Sequence, residues 1–144
     1  MVNLVCKVLL SENPLVTPRN EVPPETGAVV DFWGVVRRTE DGSQISGIEY
    51  ETHRPMAEHQ LRKITEEASA AFDLHQIELH HRLGFVPASE PSLFVRVGSR
   101  HRAEAFRAAA WIVEQLKERA PIWKHPRPGL AAASFETPAD LSLP

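Results

Sequence analysis

Short runs of apolar residues recur along the chain and predict five strands. Three of these runs are rich in valine, leucine and aromatic residues, which favour strands. The other two alternate apolar and polar positions, which is the period of a strand with one buried face. The predicted strands cover residues 4–10, 28–37, 45–52, 76–83 and 93–97. The proline-containing segments 11–26 and 84–92 are predicted as loops.

Glycine positions refine the second and third predicted strands. Asp41 and Gly42 tolerate the positive φ angles of tight turns, so these two strands are predicted to form an antiparallel hairpin. Gly34 lies inside the second strand, where a glycine indicates a bulge or a close approach of another backbone.

Two longer segments have the three- and four-residue spacing of amphipathic helices. Pro55 suits the first residue of one helix, whereas Ser99 is the predicted N-cap of the other and Pro121 ends it. The predicted apolar stripes are Ala57, Leu61, Ile64, Ala68 and Phe72 in the first helix, and Phe106, Ala109, Val113, Leu116 and Ala120 in the second. The order β-β-β-α-β-β-α predicts an α+β fold in which two main helices cover a mixed, largely antiparallel sheet.

The chain has 144 residues, about the length of one domain. We expect residues 1–125 to form a single domain, followed by a Pro/Ala-rich C-terminal tail over residues 126–144. Sixteen lysines and arginines are set against nineteen acidic residues, for a net charge of −3. A surface that binds nucleic acid over its whole area is therefore not expected, although a local basic site is possible.

Cysteine usage and hydropathy narrow the class of protein further. The single cysteine, Cys6, excludes a disulfide framework within the chain and a multi-cysteine zinc site, and its place on the first strand predicts a small core residue. No apolar run approaches the roughly 20 residues that span a bilayer, and the N-terminal stretch lacks the features of a signal peptide. We therefore expect a cytoplasmic protein with no membrane partner.

Basic residues cluster at the start of the second predicted helix. Arg100, His101 and Arg102 stand where the helix dipole is already positive, so cations are mildly unfavourable there. Free backbone N–H groups combined with these side chains would suit a phosphate or carboxylate. A solvated first turn explains the same residues about equally well.

Further basic residues lie at the end of that helix and at the end of the second strand. Lys117 and Arg119 complement the helix dipole, which is a sufficient explanation for both. Lys124 differs because it follows Trp123 beyond the proline, where an aromatic ring can fix a loop and hold the lysine in a partly dry pocket. Arg37 ends a strand and is able to bind an oxyanion, although ordinary hairpin-end charges are the commoner explanation.

A metal site is not expected. His53, His59, His80 and His81 show no helical i, i+4 pair of the zincin type. His80 and His81 are adjacent on a predicted strand, so their side chains point to opposite faces.

Five segments together resemble the catalytic (large) subunit of molybdopterin synthase. They are GAVVDFWGVVR, IEYETHRPMAEHQL, HHRLG, SRHRAEAF and LKERAPIWK, and the resemblance spans residues 27–124. The last two segments are the most specific, because a basic pair before AEAF and a PIWK sequence after LK seldom occur at this separation.

The resemblance implies a function, a fold and a set of site residues. The enzyme transfers sulfur from the C-terminal thiocarboxylate of a small ubiquitin-like partner subunit to cyclic pyranopterin monophosphate, which forms the dithiolene of molybdopterin. The family's catalytic lysines correspond to Lys117 and Lys124, and its substrate-binding residues to Arg37, His101 and Arg102. The resemblance also implies an alpha/beta-hammerhead-like fold, no resident cofactor, and a homodimer of large subunits with a small subunit at each end.

Two features qualify this assignment. His125 and Pro126 replace the basic and acidic residues that usually follow PIWK, which keeps open the alternative of a non-catalytic α+β anion-binding domain derived from this family. Moreover, His101 and Lys117 lie sixteen residues apart, or ~24 Å along a straight helix. A single pterin-sized ligand reaches both only if a second copy of the chain supplies one of them, as in a two-fold dimer.

Overall fold

The computed structural model describes residues 4–129, which form eight strands and two helices. The strands are Val5–Ser11 (β1), Ala28–Val35 (β2), Thr39–Glu40 (β3), Ser43–Thr52 (β4), Gln76–Arg82 (β5), Gly84–Pro87 (β6), Pro91–Ser99 (β7) and Ile122–Pro128 (β8). The helices are Arg54–Ala71 (α1) and Arg102–Arg119 (α2). All five predicted strands and both predicted helices are present, and β3, β6 and β8 are additional.

The first sheet has the strand order β1-β5-β7-β2. β1 and β5 are parallel, whereas the other two pairings are antiparallel. This arrangement confirms the predicted α+β fold with a mixed, largely antiparallel sheet. The register between β2 and β7 shifts at Gly34 and Val35, so the bulge predicted from Gly34 is also confirmed.

The second sheet is built around β4, which pairs with β3, β6 and β8. The predicted hairpin between the second and third strands is wrong, because β2 pairs along its length with β7 instead. Asp41 and Gly42 do form a tight turn, but its first arm is only the two-residue strand β3. After β2 the chain crosses between the sheets at Val36, which is buried in the core of the second sheet.

The predicted loop over residues 84–92 contains β6. Pro87 ends this strand and Pro91 begins β7, so the prolines mark strand ends and not the interior of a loop. Residues 122–124, expected in a loop, belong to β8. That strand continues to Pro128, across the predicted domain boundary after residue 125. Residues 130–144, most of the predicted tail, lie outside the described residues, and the division into domain and tail stays a prediction.

Both helices pack on one face of the first sheet and enclose its apolar core. In α1 the predicted stripe is buried from Ala57 to Ala68, and Phe72 follows the last turn and packs against Trp111 of α2 with ring centroids 6.2 Å apart. The N-cap of α1 is His53, whose Nδ1 accepts a hydrogen bond from the backbone N–H of Met56.

The start and the apolar face of α2 differ from the prediction. Ser99 is not the N-cap: it is buried at the end of β7, where its hydroxyl donates to the Asp73 carbonyl oxygen at 2.6 Å. The N-cap is His101, without a side-chain cap. Phe106 is 61% exposed, so its assignment to the core is wrong. The buried positions of α2 are Ala105, Ala108, Ala109, Ile112 and Leu116.

The opposite face of the first sheet carries a charge pair between a buried arginine and a partly exposed carboxylate. Arg96 on β7 is almost completely buried and donates to both carboxylate oxygens of Asp31 on β2, at 2.7 and 2.8 Å. It also donates to the Arg19 carbonyl oxygen at 2.7 Å, which attaches the segment before β2 to this face. Cys6, predicted in the core, is exposed because β1 is an edge strand of this sheet.

We expect Asp31→Ala to lower the free energy of unfolding by about 2–3 kcal/mol, because it leaves the buried Arg96 guanidinium without its carboxylate. Chemical denaturation of the two proteins measures the difference. Glu21→Ala is the matched control: it removes a carboxylate from the exposed ion pair with Arg19 and should cost about 0.5 kcal/mol or less. Equal losses in the two variants would contradict a stabilising role for the Arg96–Asp31 pair.

Candidate functional site

A cleft of about 550 Å³ lies where both sheets meet the last turns of α2. Three of the five predicted site residues line it: Arg37, Lys117 and Lys124. Glu40, Tyr50 and His81 also line the cleft, and none of these three was predicted from the sequence. The cleft therefore combines three cationic side chains, one carboxylate, one phenol and one imidazole.

Each cation reaches the cleft from a different element. Arg37 follows the bulge that ends β2, and Lys117 lies in the last turn of α2, next to the buried Leu116. The helix stops before Pro121, whose carbonyl oxygen accepts a 2.7 Å hydrogen bond from the Thr52 hydroxyl. The chain then runs back along β4 as β8. This return places Lys124 in the same cleft as Lys117, at the C-terminal end of α2.

Glu40 links two of these cations. One oxygen of its carboxylate lies 4.0 Å from the guanidinium of Arg37, and the other lies 3.7 Å from Nζ of Lys124. The Asp-Gly turn signal that follows Glu40 was visible in the sequence, and it predicts where the residue lies in the hairpin. Nothing in the local pattern indicates that β8 returns a lysine to face it.

The cleft also has three uncharged polar residues, which are Tyr50, Ser92 and His81. The hydroxyls of Tyr50 and Ser92 share a buried hydrogen bond of 3.0 Å. Burial raises the pKa of Tyr50 and the nearby charge of Glu40 raises it further, whereas the hydrogen bond with Ser92 acts in the opposite direction. The His81 ring meets the Tyr50 ring edge-on at 5.1 Å, and burial lowers the pKa of His81. At neutral pH the positive charge of the cleft therefore comes from the lysines and Arg37.

The two basic residues in the last turn of α2 have different environments. Arg119 donates to both carboxylate oxygens of Glu67, at 2.7 and 2.9 Å, and so joins α2 to α1. Lys117 is exposed and takes part in none of the ion pairs found among residues 4–129. The structure thus gives Arg119 a role between the helices and leaves Lys117 available to a ligand in the cleft.

The predicted environment of Lys124 is wrong in one respect. Trp123 does not fix a loop around it: both residues lie on β8, and Trp123 is 52% exposed. The Lys124 side chain is itself 52% exposed, and its Nζ lies 3.7 Å from the carboxylate of Glu40.

His101 and Arg102 lie outside this cleft, at the opposite end of α2. Both are exposed, and the sixteen residues from His101 to Lys117 span ~24 Å. Within one chain the structure therefore brings together three of the predicted residues and separates the other two from them. Among residues 4–129, no cluster of three His, Cys, Asp or Glu side chains is arranged to hold a metal ion. None of the helices in that range is long and apolar enough to cross a membrane.

Comparison with known families identifies the chain. The profile of the MoaE protein family matches residues 11–119, most of the sequence. The chain belongs to the MoaE family. The family predicted from the sequence motifs is thus confirmed.

Relatives of this MoaE-family chain are named molybdopterin synthase catalytic subunit. The protein of Thermoplasma volcanium is 38% identical over 112 residues, which cover 78% of this chain and 82% of that protein. The human protein is 38% identical over 103 residues, covering 72% of this chain but only 55% of its own length. The chain spans about half the length of several other curated relatives it matches. These relatives support the predicted enzyme class of a subunit in molybdenum cofactor biosynthesis.

Solved structures agree with this family assignment. The crystal structure of molybdopterin synthase from Staphylococcus aureus superposes with a TM-score of 0.76 at 30% identity, covering 90% of this chain and 94% of that one. The structure of the complex between subunits 1 and 2 of the Helicobacter pylori molybdopterin-converting factor superposes with a TM-score of 0.62 at 20% identity, covering 84% of this chain and 83% of that one, which shows the shared fold.

The lowered pKa of His81 predicts a pH dependence of stability. The folded protein resists protonation of this ring, whereas the unfolded chain takes up the proton near pH 6.5. The free energy of unfolding should therefore fall as the pH drops below 6.5, by at most about 1.4 kcal/mol per pH unit for this group. Well above pH 6.5 the His81 ring is neutral in both the folded and the unfolded chain, so this group no longer makes the free energy of unfolding depend on pH.

Chemical denaturation of the His81→Gln variant at about pH 7.5 and about pH 5.5 measures this contribution. The variant should lose less stability between the two pH values than the unmodified chain does. The remaining loss includes His80, whose pKa is also lowered by burial. His101→Gln, at an exposed position, serves as the control and should keep the original pH dependence. An unchanged pH dependence in His81→Gln would show that His81 does not contribute.

Proposed function

We propose that this chain is the catalytic subunit of a molybdopterin synthase. In this proposal, sulfur passes from the C-terminal thiocarboxylate of a small ubiquitin-like subunit to cyclic pyranopterin monophosphate and forms the molybdopterin dithiolene. The observation that carries the proposal is the convergence of Arg37, Lys117 and Lys124 on one cleft in a MoaE-family chain. The expected location is the cytoplasm, an expectation that rests on the sequence alone.

The charges of the reactants explain why three cations are useful there. The substrate carries a cyclic phosphate, and the incoming thiocarboxylate is also an anion. The thiocarboxylate sulfur bonds to a carbon of the substrate, and an oxygen substituent of that carbon leaves. Water then breaks the acyl–sulfur bond, so that the sulfur stays on the pterin and the partner leaves with an ordinary carboxylate. The tetrahedral intermediate of that step is negatively charged, and cationic side chains stabilise it. Both sulfur atoms arrive on the partner, so the proposal includes no resident metal or cofactor.

The positions of the three cations support a separate role for each of them. Arg37 presents a guanidinium that is suited to bidentate contact with the substrate phosphate. Lys117 carries no ion pair among the described residues and is assigned to the carbonyl oxygen at the C-terminus of the partner. Lys124, which lines the same cleft from β8, is assigned to holding the substrate or donating a proton.

A second copy of the chain supplies His101 and Arg102 in this proposal. β2 is an edge strand of the first sheet, and Val29, Phe32 and Val35 are exposed along it. Antiparallel pairing of β2 with its own copy would place the Ala28 end of one strand beside the Val35 end of the other.

The dimensions of the chain are consistent with this arrangement. The Ala28 end of β2 lies opposite Ser99, close to His101, while its other end borders the cleft. The seven steps from Ala28 to Val35 span about 24 Å, which matches the ~24 Å between His101 and Lys117. Two-fold pairing would therefore carry His101 and Arg102 of each copy toward the cleft of the other.

The non-catalytic alternative depended on His125 and Pro126, and their positions do not favour it. Neither residue lines the cleft. His125 lies 2.9 Å from the carboxylate of Glu51 on β4, and Pro126 is exposed on β8. Both lysines of the cleft are retained beside these altered positions.

Replacement of either lysine should reduce catalysis strongly. We expect Lys117→Ala and Lys124→Ala each to lower the rate of molybdopterin formation by about 10²–10³-fold, the usual effect of removing one electrostatic contact to a developing anion. The assay combines the chain, a thiocarboxylated small subunit and cyclic pyranopterin monophosphate. Lys63→Ala, which removes an exposed lysine from α1, is the matched control and should retain normal turnover. Near-normal turnover in a cleft variant would remove that lysine from the mechanism.

Sharing of the site between two copies is tested by mixing two inactive variants. A dimer of one Lys117→Ala chain and one His101→Ala chain contains one site with both replacements and one intact site. Random co-assembly in equal amounts should therefore restore about a quarter of the normal activity. Activity that stays at the level of the separate variants would contradict a shared site.

A further inference from the structure

Glu40 is the one acidic side chain that lines the cleft within residues 4–129. Its two carboxylate oxygens face different cations, at 4.0 Å from Arg37 and 3.7 Å from Lys124. The Glu40 side chain is 22% exposed, whereas those of Arg37 and Lys124 are 79% and 52% exposed. The carboxylate is therefore the most enclosed of the three groups, and the two cations converge on it.

The hairpin turn fixes the backbone of Glu40. The next two residues, Asp41 and Gly42, have φ angles of 50° and 80°, which is the pattern of a two-residue turn with both central residues left-handed. This turn pairs Glu40 with Ser43 at the end of a two-residue strand. A tight turn leaves little backbone freedom at its first residue, so it fixes where the Glu40 side chain begins. The ion pairs with Arg37 and Lys124 then hold the carboxylate at the wall of the cleft.

The position between two cations is the one that an anionic ligand would also use. A phosphate that contacts both Arg37 and Lys124 must displace the carboxylate of Glu40 or bind beside it, and both cost free energy. The same cost applies to small anions such as inorganic phosphate, which lack other contacts with the cleft. A substrate with a pterin ring has additional contacts with which to offset the cost.

We propose that Glu40 is a positioning residue that acts as an internal counter-anion. It holds Arg37 and Lys124 toward each other in the empty cleft, keeps small anions from occupying it, and gives way to the phosphate of the substrate. This inference rests on the proposed function for the identity of the substrate, but the effect on small anions does not depend on it.

The test is the binding of inorganic phosphate to the full chain, measured by titration calorimetry without partner or substrate. Glu40→Gln removes the charge and keeps the shape of the side chain, and it should bind phosphate about tenfold more tightly than the unmodified chain. Glu40→Asp keeps the charge and should bind phosphate as weakly as the unmodified chain, within about threefold.

Two controls separate this effect from a general change in charge. Glu51→Gln also removes one negative charge, but from β4, and neither Glu51 nor its partner His125 lines the cleft. This variant should bind phosphate with an affinity within about twofold of that of the unmodified chain. Adding Arg37→Ala to Glu40→Gln should cancel the gain, because the released cation is then absent. Thermal unfolding of Glu40→Gln should be nearly unchanged, since the two ion pairs of Glu40 are long, at 4.0 and 3.7 Å, and join exposed cations, which contribute little to stability.

The inference is overturned if Glu40→Gln binds phosphate no more tightly than the unmodified chain. It is also overturned if Glu51→Gln shows the same gain, or if the gain survives the loss of Arg37. Failure of the proposed function has a different signature: the tenfold gain in phosphate affinity would be present, while the unmodified chain with its thiocarboxylated partner would form no dithiolene.

Discussion

The antiparallel ladder between β4 and β8 is the interaction on which the cleft depends. β8 runs back along β4 directly after α2 ends, with Lys124 opposite Tyr50 in the register. Without this ladder, Lys124 would lie on an unpaired segment beyond Pro121, away from Lys117 and from the end of β2. Backbone hydrogen bonds of a strand pair thus determine which cations share a site, and the side chains supply the chemistry.

The cleft combines an excess of positive charge with groups that remain neutral. Three cations in one cleft repel one another, and the carboxylate of Glu40 reduces that repulsion while the cleft is empty. Burial keeps Tyr50 and His81 uncharged at neutral pH, since it raises the pKa of the phenol and lowers that of the imidazole. Such an arrangement suits a site whose ligands are anions that arrive, react and leave.

Local chemistry explains which structural predictions succeeded. The stripe from Ala57 to Ala68 and the glycine bulge at Gly34 depend on residues that are neighbours in the sequence, and both are confirmed. The errors involve distant partners. The strand ending in Val35 has the pattern of a hairpin arm, yet β7 is its partner. Phe106 matches a helical spacing but lies just off the face that the sheet covers.

The two helices, the five main strands, the α+β class, the family and the basic residues of the cleft are all predictable from the chain without its structure. These features depend on residue spacing, turn residues and motifs, which involve neighbours in the sequence, so they can be predicted without knowledge of distant contacts. Folding is what brings Arg37, Lys117 and Lys124 to one cleft, keeps His101 and Arg102 away from it, and places Glu40 between two cations. Strand register and helix length, not proximity in the sequence, set the distances between these side chains.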